Sequence, residues 1–205
     1  GWSLKQLHRD IMLSATYQQS SSFREDGDKA DPENQLLWRM NRRRLEVEPW
    51  RDSILAVSGE LDRTLGGPPS NLDNAGFKRR TVYGFVSRHR LNELLRLFDF
   101  PDPSITAADR SVTTVPLQQL FVLNSDFMTQ RARALTGQVN AAGLADDEAK
   151  VRYAYELLFS REAGDDEVTA ATQFLQSGKD DGDKISRWEQ LSLALLSSNE
   201  FMFVD

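Results

Sequence analysis

Apolar residues recur at helical spacing along most of this chain, and that period restricts the possible folds more than any other feature. In SLKQLHRDIMLSATY the apolar residues on one stripe are Leu4, Leu7, Ile11 and Ala15. Ser3 precedes them as a typical N-cap. Only RRTVYGFVSRHR alternates like a strand, and it is too short to form a sheet alone. The sequence therefore predicts a mainly α fold: a multi-helix domain with at most a short β-hairpin or isolated strand pair.

Start and stop signals predict where the next helices lie. The DPE segment at residues 31–33 resembles a cap, a first-turn proline and a first-turn acid, which predicts a helix continuing through Met40. Pro49 lacks a backbone donor and should interrupt that run. A third helix should then carry Trp50 and end near Gly59.

One long helix is predicted in TTVPLQQLFVLNSDFMTQRARAL, with Thr114 as its cap and Pro116 in its first turn. Its predicted buried face consists of Leu117, Leu120, Phe121, Phe127 and Met128. LNELLRLFDF should form a short helix before it. Three further helices are predicted at about residues 146–159, 165–177 and 184–198.

Polar segments with glycine and proline predict the connections. Residues 19–31 and the segment GGPPSNLDNAG should be exposed loops, and the glycines at positions 164, 178 and 182 should separate the last helices. DGDKADPEN and DDGDK resemble calcium-binding loops only in part, because the twelve-residue spacing with a terminal glutamate is missing. Solvated loops are the expectation for both.

Composition indicates a folded protein and argues against some partners. The 205 residues are 40% hydrophobic and 27% charged, with a net charge of -6. Such an acidic balance argues against nucleic acid as a partner. The chain has no cysteine, so this segment cannot hold a thioether-linked haem. No apolar run approaches the roughly 20 residues that a membrane-spanning helix needs.

The basic segment RMNRRRLE is the first candidate site. Successive helical residues differ by about 100°, so three adjacent arginines cannot form one phosphate-tracking stripe. A structural or partner-facing role is favoured, with an anionic small ligand held by an arginine fork as the alternative.

Catalytic and metal motifs give no further candidate. His8 and His89 lack the spacing of a metal pair, and the patterns G-x-S-x-G and G-x-G-x-x-G are absent. We therefore assign no catalytic residue, no metal and no cofactor to this segment.

Five ordered blocks resemble one family: GWSLKQLHRDIMLSATYQQSS, DPENQLLWRMNRRRLEVEPWRDSILAVSGELD, RRTVYGFVSRHRLNELLRLFDFPDP, VTTVPLQQLFVLNSDF and LLSSNEFMFVD. The family is the DUF1553 domain of unknown function, the planctomycete-type C-terminal domain of large exported bacterial proteins. The resemblance implies an upstream uncharacterised domain, DUF1549, and often a cytochrome-c-like haem module or carbohydrate-binding module. It also implies that residues 1–205 are one domain lacking its first portion.

The resemblance implies no catalytic residues, but its blocks mix charged and aromatic residues as a polar network between helices does. We therefore predict one ligand or domain-contact network formed by Arg43, Arg44, Glu46, Asp52, Arg80 and Asp99.

Two functions remain open at this stage. The first is an accessory or assembly module, periplasmic or at the cell surface, that packs against the upstream domain in a haem- or carbohydrate-associated system. Such a module should expose an apolar patch. The alternative is part of an extracellular polysaccharide-acting enzyme. Its cleft would pair a carboxylate of raised pKa with aromatics such as Trp38, Trp50, Tyr83 or Phe85.

Overall fold

The computed structural model describes residues 1–177 and 185–204 and divides the chain into two compact units. The N-terminal unit contains residues Gly1–Arg44 together with the chain from Phe203 onward. The helical unit contains Leu45–Met202. Each unit is described by itself.

The N-terminal unit holds two helices and a minimal sheet. Helix α1 is Leu4–Met12 and helix α2 is Glu25–Ala30. Strands β1, Arg43–Arg44, and β2, Phe203–Val204, pair antiparallel with Arg43 opposite Val204. The Ser3 hydroxyl accepts a hydrogen bond from the Gln6 backbone N–H, which confirms the predicted cap of α1.

Trp38 organises the packing of the N-terminal unit. Its indole N–H donates to the Asp31 carbonyl at 2.8 Å, and its ring lies directly against Gly27 of α2. A side chain at position 27 would collide with that ring, so glycine is required by close approach. The loop predicted over residues 19–31 was wrong in part, because α2 lies inside it.

The helix predicted from residue 31 through Met40 was also wrong. Asn34 and Leu37 have φ values of 54° and 55°, which no right-handed helix contains. The Asp31 carboxylate accepts from the Leu36 N–H at 2.7 Å, and the Asn34 amide donates to the Arg39 carbonyl at 2.9 Å. Side-chain hydrogen bonds to the backbone thus stabilise turns where the sequence pattern suggested a helix.

The helical unit contains the remaining helices of the described residues. They are α3 Val47–Val57, α4 Glu93–Leu97, α5 Pro116–Asn124, α6 Asp126–Ala141, α7 Asp147–Phe159, α8 Asp165–Gln176, α9 Arg187–Leu196 and α10 Asn199–Met202. In the described residues the only sheet has two strands, so the predicted mainly α fold is confirmed. Within the described ranges, every helix is too short or too polar to cross a membrane.

Helix α6 forms the centre of the core and packs against α9. Its buried side chains on this face include Met128, Ala132 and Leu135, each fully inaccessible. Between the two helices, the hydroxyls of Thr136 and Ser192 lie 2.9 Å apart and share a hydrogen bond. A buried polar pair is thereby satisfied inside an otherwise apolar contact.

The predicted third helix is confirmed as α3, and Pro49 has a role there that the sequence did not suggest. Pro49 lies in the first turn of α3, where a missing backbone N–H costs nothing. Gly59, with a φ of 71°, follows the helix end as predicted. Trp50 is buried and its ring stacks on Phe98 at a centroid distance of 4.6 Å.

The long helix predicted after Thr114 is two helices, α5 and α6. Ser125 separates them with an extended backbone, and its hydroxyl accepts from the Met128 N–H at 3.3 Å. Val115, not Thr114, precedes the first turn, and Pro116 begins α5 as predicted. A serine cap inside the apolar run thus ended one helix and started the next.

No residue of the segment RRTVYGFVSRHR, which alternates like a strand, belongs to a strand. Thr81–Tyr83 forms a single 3-10 turn, and Gly84 makes only an isolated bridge to Ser70. The short helix predicted in LNELLRLFDF is confirmed as α4, and α7, α8 and α9 confirm the last three helices. The predicted breaks at Gly178 and Gly182, and the DDGDK loop, lie outside the described residues.

Arg161 connects the ends of α7, α8 and α10. Its guanidinium binds Glu167 with both Nη atoms, at 2.8 and 2.7 Å, and Glu200 with Nε at 2.5 Å. Hydrogen bonds from Arg161 lower the pKa of Glu167 to about 2.

The Arg161 contact predicts an acid-dependent stability. Because folding lowers the pKa of Glu167, its stabilising effect is present above the unfolded pKa, 4.5, and is lost as pH falls towards about 2. Between those pH values, the free energy of unfolding measured in urea should therefore fall more steeply for the wild type than for Glu167→Gln. Parallel pH profiles for the two proteins would contradict the assignment.

The α6 core predicts a large truncation effect. Leu135→Ala should lower the free energy of unfolding by about 2–5 kcal/mol, since it removes a fully buried side chain. Leu117→Ala on α5, where the side chain is exposed, is the matched control and should stay within about 0.5 kcal/mol. Chemical denaturation followed by tryptophan fluorescence measures both, and equal effects would refute this description of the core.

Candidate functional site

The structure brings together Asp52 and Arg80, two of the six residues of the predicted network. Asp52 Oδ1 accepts from the Thr81 N–H at 2.7 Å and from the Thr81 hydroxyl at 2.6 Å. Arg80 Nε lies 3.8 Å from Asp52 Oδ2. This contact fixes the 3-10 turn against α3 and holds one carboxylate between a hydroxyl and a guanidinium.

The other predicted site residues have separate surroundings. Glu46 Oε2 lies 3.0 Å from Arg110 Nη1. Asp99 accepts from the Thr113 N–H at 2.9 Å and from its hydroxyl at 2.7 Å. Arg43 and Arg44 form strand β1 of the N-terminal unit. A single network that joins all six residues stays a prediction.

Arg51, which the sequence analysis did not select, is the most deeply buried charged side chain near this cluster. Its Nη2 donates to the Phe77 carbonyl at 2.6 Å. Its Nη1 donates to the Arg79 carbonyl and to the Thr81 hydroxyl, each at 3.2 Å. The residue is 2% exposed, and burial lowers its pKa to about 10 despite the nearby Asp52. It therefore stays charged at neutral pH.

A second buried arginine lies close by on α6. Arg131 is 4% exposed, and its Nε lies 2.7 Å from Glu60 Oε2. Lys78 binds the other oxygen of the same carboxylate at 2.5 Å. Glu60 thus faces two cations at once.

Both guanidiniums lie near the ring of Phe127. The Arg51 Cζ lies 5.1 Å from the Phe77 centroid and 5.6 Å from that of Phe127. The Arg131 Cζ lies 5.5 Å from the same Phe127 ring. These distances allow cation–π contacts that partly replace lost hydration.

Both arginines line a cavity of about 360 Å³, which we call the arginine cavity. Its walls come from α3, the loop around Phe77, the start of α4, the end of α5 and the start of α6. Buried cations with an apolar wall are suited to hold an anionic group in a fixed orientation. The sequence contained one usable signal, because Arg51 and Arg131 stand at apolar positions of their helices.

The enzyme hypothesis predicted that aromatics such as Trp50 line a cleft. Trp50 does not, because it lies in the core and is only 1% exposed. The Arg79 guanidinium covers the Tyr83 ring at 3.9 Å. The pKa of Asp62 is lowered by hydrogen bonds from Thr64, opposite to what a general acid requires. Among the described residues, no three His, Asp or Glu side chains are grouped for a metal ion.

Helix α5 has apolar side chains on both its buried and its exposed face, since it also buries Val122 completely. It buries Gln118, whose amide donates to the Leu97 carbonyl at 2.9 Å. It exposes Leu117, Leu120 and Leu123, which are 64%, 55% and 52% accessible. The predicted burial of the first two was therefore wrong.

Helix α1 also exposes its apolar stripe, since it contains no buried residue. Leu4, Leu7 and Ile11 are all exposed, as are Trp2 and Met12 beside them. An amphipathic helix normally buries such a stripe, so α1 and α5 each present an apolar face.

The described chain is mainly helical, contains a buried arginine pair and exposes two apolar helix faces. The chain belongs to the PSD1 family, described as protein of unknown function (DUF1553), whose family model matches residues 1–175. The resemblance to DUF1553 is thereby confirmed. No match was found among curated proteins or among solved structures.

Arg51 should contribute strongly to stability. Arg51→Met should lower the free energy of unfolding by about 2–4 kcal/mol, because it leaves the Phe77 and Arg79 carbonyls without their donor. Arg80→Met is the control. Its side chain is 53% exposed, so its ion pair should contribute less than about 1 kcal/mol. Equal destabilisation in denaturant titrations would contradict the structural role assigned to Arg51.

Proposed function

We propose that this chain is a non-catalytic accessory module that assembles with another domain of a larger polypeptide. The observation that carries the proposal is α5, which exposes three leucines while it buries a glutamine. Exposure of those leucines to water is unfavourable, and covering them releases roughly 25 cal/mol for each Å² of apolar surface. A partner domain would supply that cover.

The buried glutamine supports a specific orientation of α5. Gln118 donates to the Leu97 carbonyl and its Oε1 accepts from the Val115 N–H at 3.3 Å. These bonds fix which face of the helix points inward, so the leucine face is directed outward by the fold rather than by chance. A fixed, rigid apolar face is what a docking surface requires, because little conformational entropy is lost on binding.

The family resemblance supports the choice of an upstream domain of the same polypeptide as the partner. On this proposal the protein is exported, acts in the periplasm or at the cell surface, and serves a multidomain haem- or carbohydrate-associated system of the planctomycete type. Any haem would belong to an upstream module, since this chain offers no cysteine for attachment.

Substitution on the α5 face tests the proposal. Leu120→Asp should leave the unfolding temperature of the 205-residue chain nearly unchanged, because position 120 is exposed. In the longer natural polypeptide that includes the upstream domain, it should lower that temperature by about 4–8 °C. That shift corresponds to the loss of roughly 2 kcal/mol of interdomain burial.

Leu65→Asp is the matched control, since Leu65 is 77% exposed in a loop. This substitution should leave the unfolding temperature of both proteins unchanged. Calorimetry on the four variant and two parent proteins measures all these effects. An unchanged unfolding temperature for Leu120→Asp in the longer polypeptide would refute assembly through α5.

A further inference from the structure

The arginine cavity is suited to one small molecule. Its volume of about 360 Å³ lies at the lower end of the range for ligand pockets, roughly 300–1,000 Å³. A single six-membered sugar ring with its substituents fits a cavity of this volume, whereas a polymer segment or a large cofactor does not. All of its lining residues belong to the helical unit.

Two arginines, Arg51 and Arg131, form the cationic floor of the cavity. Asp52 interacts with Arg51 and with Arg80, and Glu60 pairs with Lys78 and Arg131. Among the lining residues the cations are therefore Arg51 and Arg131, and their carboxylate partners, Asp52 and Glu60, lie outside the lining. Because Arg51 and Arg131 are both nearly inaccessible to water, an added anionic group there would relieve a costly like-charge contact.

Arg131 also has unused donors. Its Nε faces Glu60, and its Nη2 makes a long hydrogen bond of 3.4 Å to Gln130 Oε1. Within residues 1–177 and 185–204, its Nη1 makes no hydrogen bond. A guanidinium has five N–H donors in a planar fork, which match the two oxygens of a carboxylate or sulfate group. This side chain is 5% exposed and lines the cavity, so a ligand is the natural acceptor.

The rim of the cavity has the opposite character from its floor. It consists of exposed acid and amide side chains: Asp73, Asn74, Glu93, Asp126 and Gln130. The Asn92 amide donates a hydrogen bond to Asp73 Oδ1 at 2.6 Å and so holds the Asp73 carboxylate in place. The rim carboxylates and amides can accept hydrogen bonds from hydroxyl groups, and the amides can also donate hydrogen bonds to them. The carboxylates repel a ligand that carries several negative charges.

The apolar wall completes the ligand description. Phe77 is buried, and Phe121 and Phe127 are partly exposed between floor and rim. Aromatic rings offer a flat surface to the C–H face of a sugar. We propose that the arginine cavity binds an acidic monosaccharide, with its one carboxylate or sulfate group on Arg131 and its hydroxyls on the rim.

Isothermal titration calorimetry on the 205-residue chain tests the proposal. Glucuronate and galactose 6-sulfate represent the two acidic groups, glucose is the neutral sugar, and inorganic phosphate is the simple anion. At least one acidic sugar should bind with a dissociation constant below about 10 mM and at least tenfold more tightly than glucose or phosphate. The two acidic sugars together show whether the site takes a carboxylate or a sulfate.

Two variants locate the binding. Arg131→Lys keeps the charge but loses the planar fork, so acidic-sugar binding should weaken at least tenfold. Gln130→Trp places a large side chain at the exposed rim and should abolish binding while the unfolding temperature stays unchanged. Gln173→Trp, at an exposed position on α8, is the matched control and should bind like the wild type.

Three results with the wild-type chain would overturn the proposal. The first is that neither acidic sugar shows saturable binding. The second is that glucose binds as tightly as the acidic sugars, and the third is that phosphate does so. Binding that survives Gln130→Trp would likewise place the ligand elsewhere. If Arg131→Lys does not fold, the Gln130→Trp and Gln173→Trp pair still decides the question.

Discussion

The helical unit depends on a buried guanidinium. Arg51 projects from α3 and binds the backbone of the loop that runs from Phe77 to Thr81. That loop has no ladder of strand hydrogen bonds, since it makes only isolated bridges. Two charged side chains of α3, the donor Arg51 and the acceptor Asp52, therefore provide polar connections between α3 and the loop. Burying a charge is costly, and the cost is offset only while each acceptor stays in place.

The position of the loop in turn determines the cavity. Phe77 packs against Arg51, and the residues before it form one side of the rim. The opposite side is made by α6, whose Arg131 reaches Glu60 just beyond the end of α3. Arg51, which holds the loop, and Arg131, which is proposed to hold the ligand, thus line the same cavity. Variants at position 51 test folding, whereas rim variants such as Gln130→Trp test binding with little effect on the core.

Periodicity predicted where the long helices α3, α7, α8 and α9 lie. It failed where side chains bind the backbone. Asp31 and Asn34 stabilise turns instead of a helix, and Ser125 divides one predicted helix into two. Such bonds depend on geometry that a spacing pattern does not contain.

The candidate site was only partly accessible from sequence. Asp52 and Arg80 were predicted and do meet, while Arg51 and Arg131 were overlooked because arginine usually points to solvent. The two errors on α5 share one cause: apolar periodicity shows which face is apolar, but not whether this chain or a partner covers it.

The acceptors of Arg51 have a consequence for how this family can vary. Two of its three hydrogen bonds end on main-chain carbonyls, those of Phe77 and Arg79. A carbonyl is present whatever residue stands at a position. Selection should therefore preserve the backbone conformation of this loop more strictly than the identity of the side chain at position 79. Position 51, which supplies the donor, should tolerate almost no replacement.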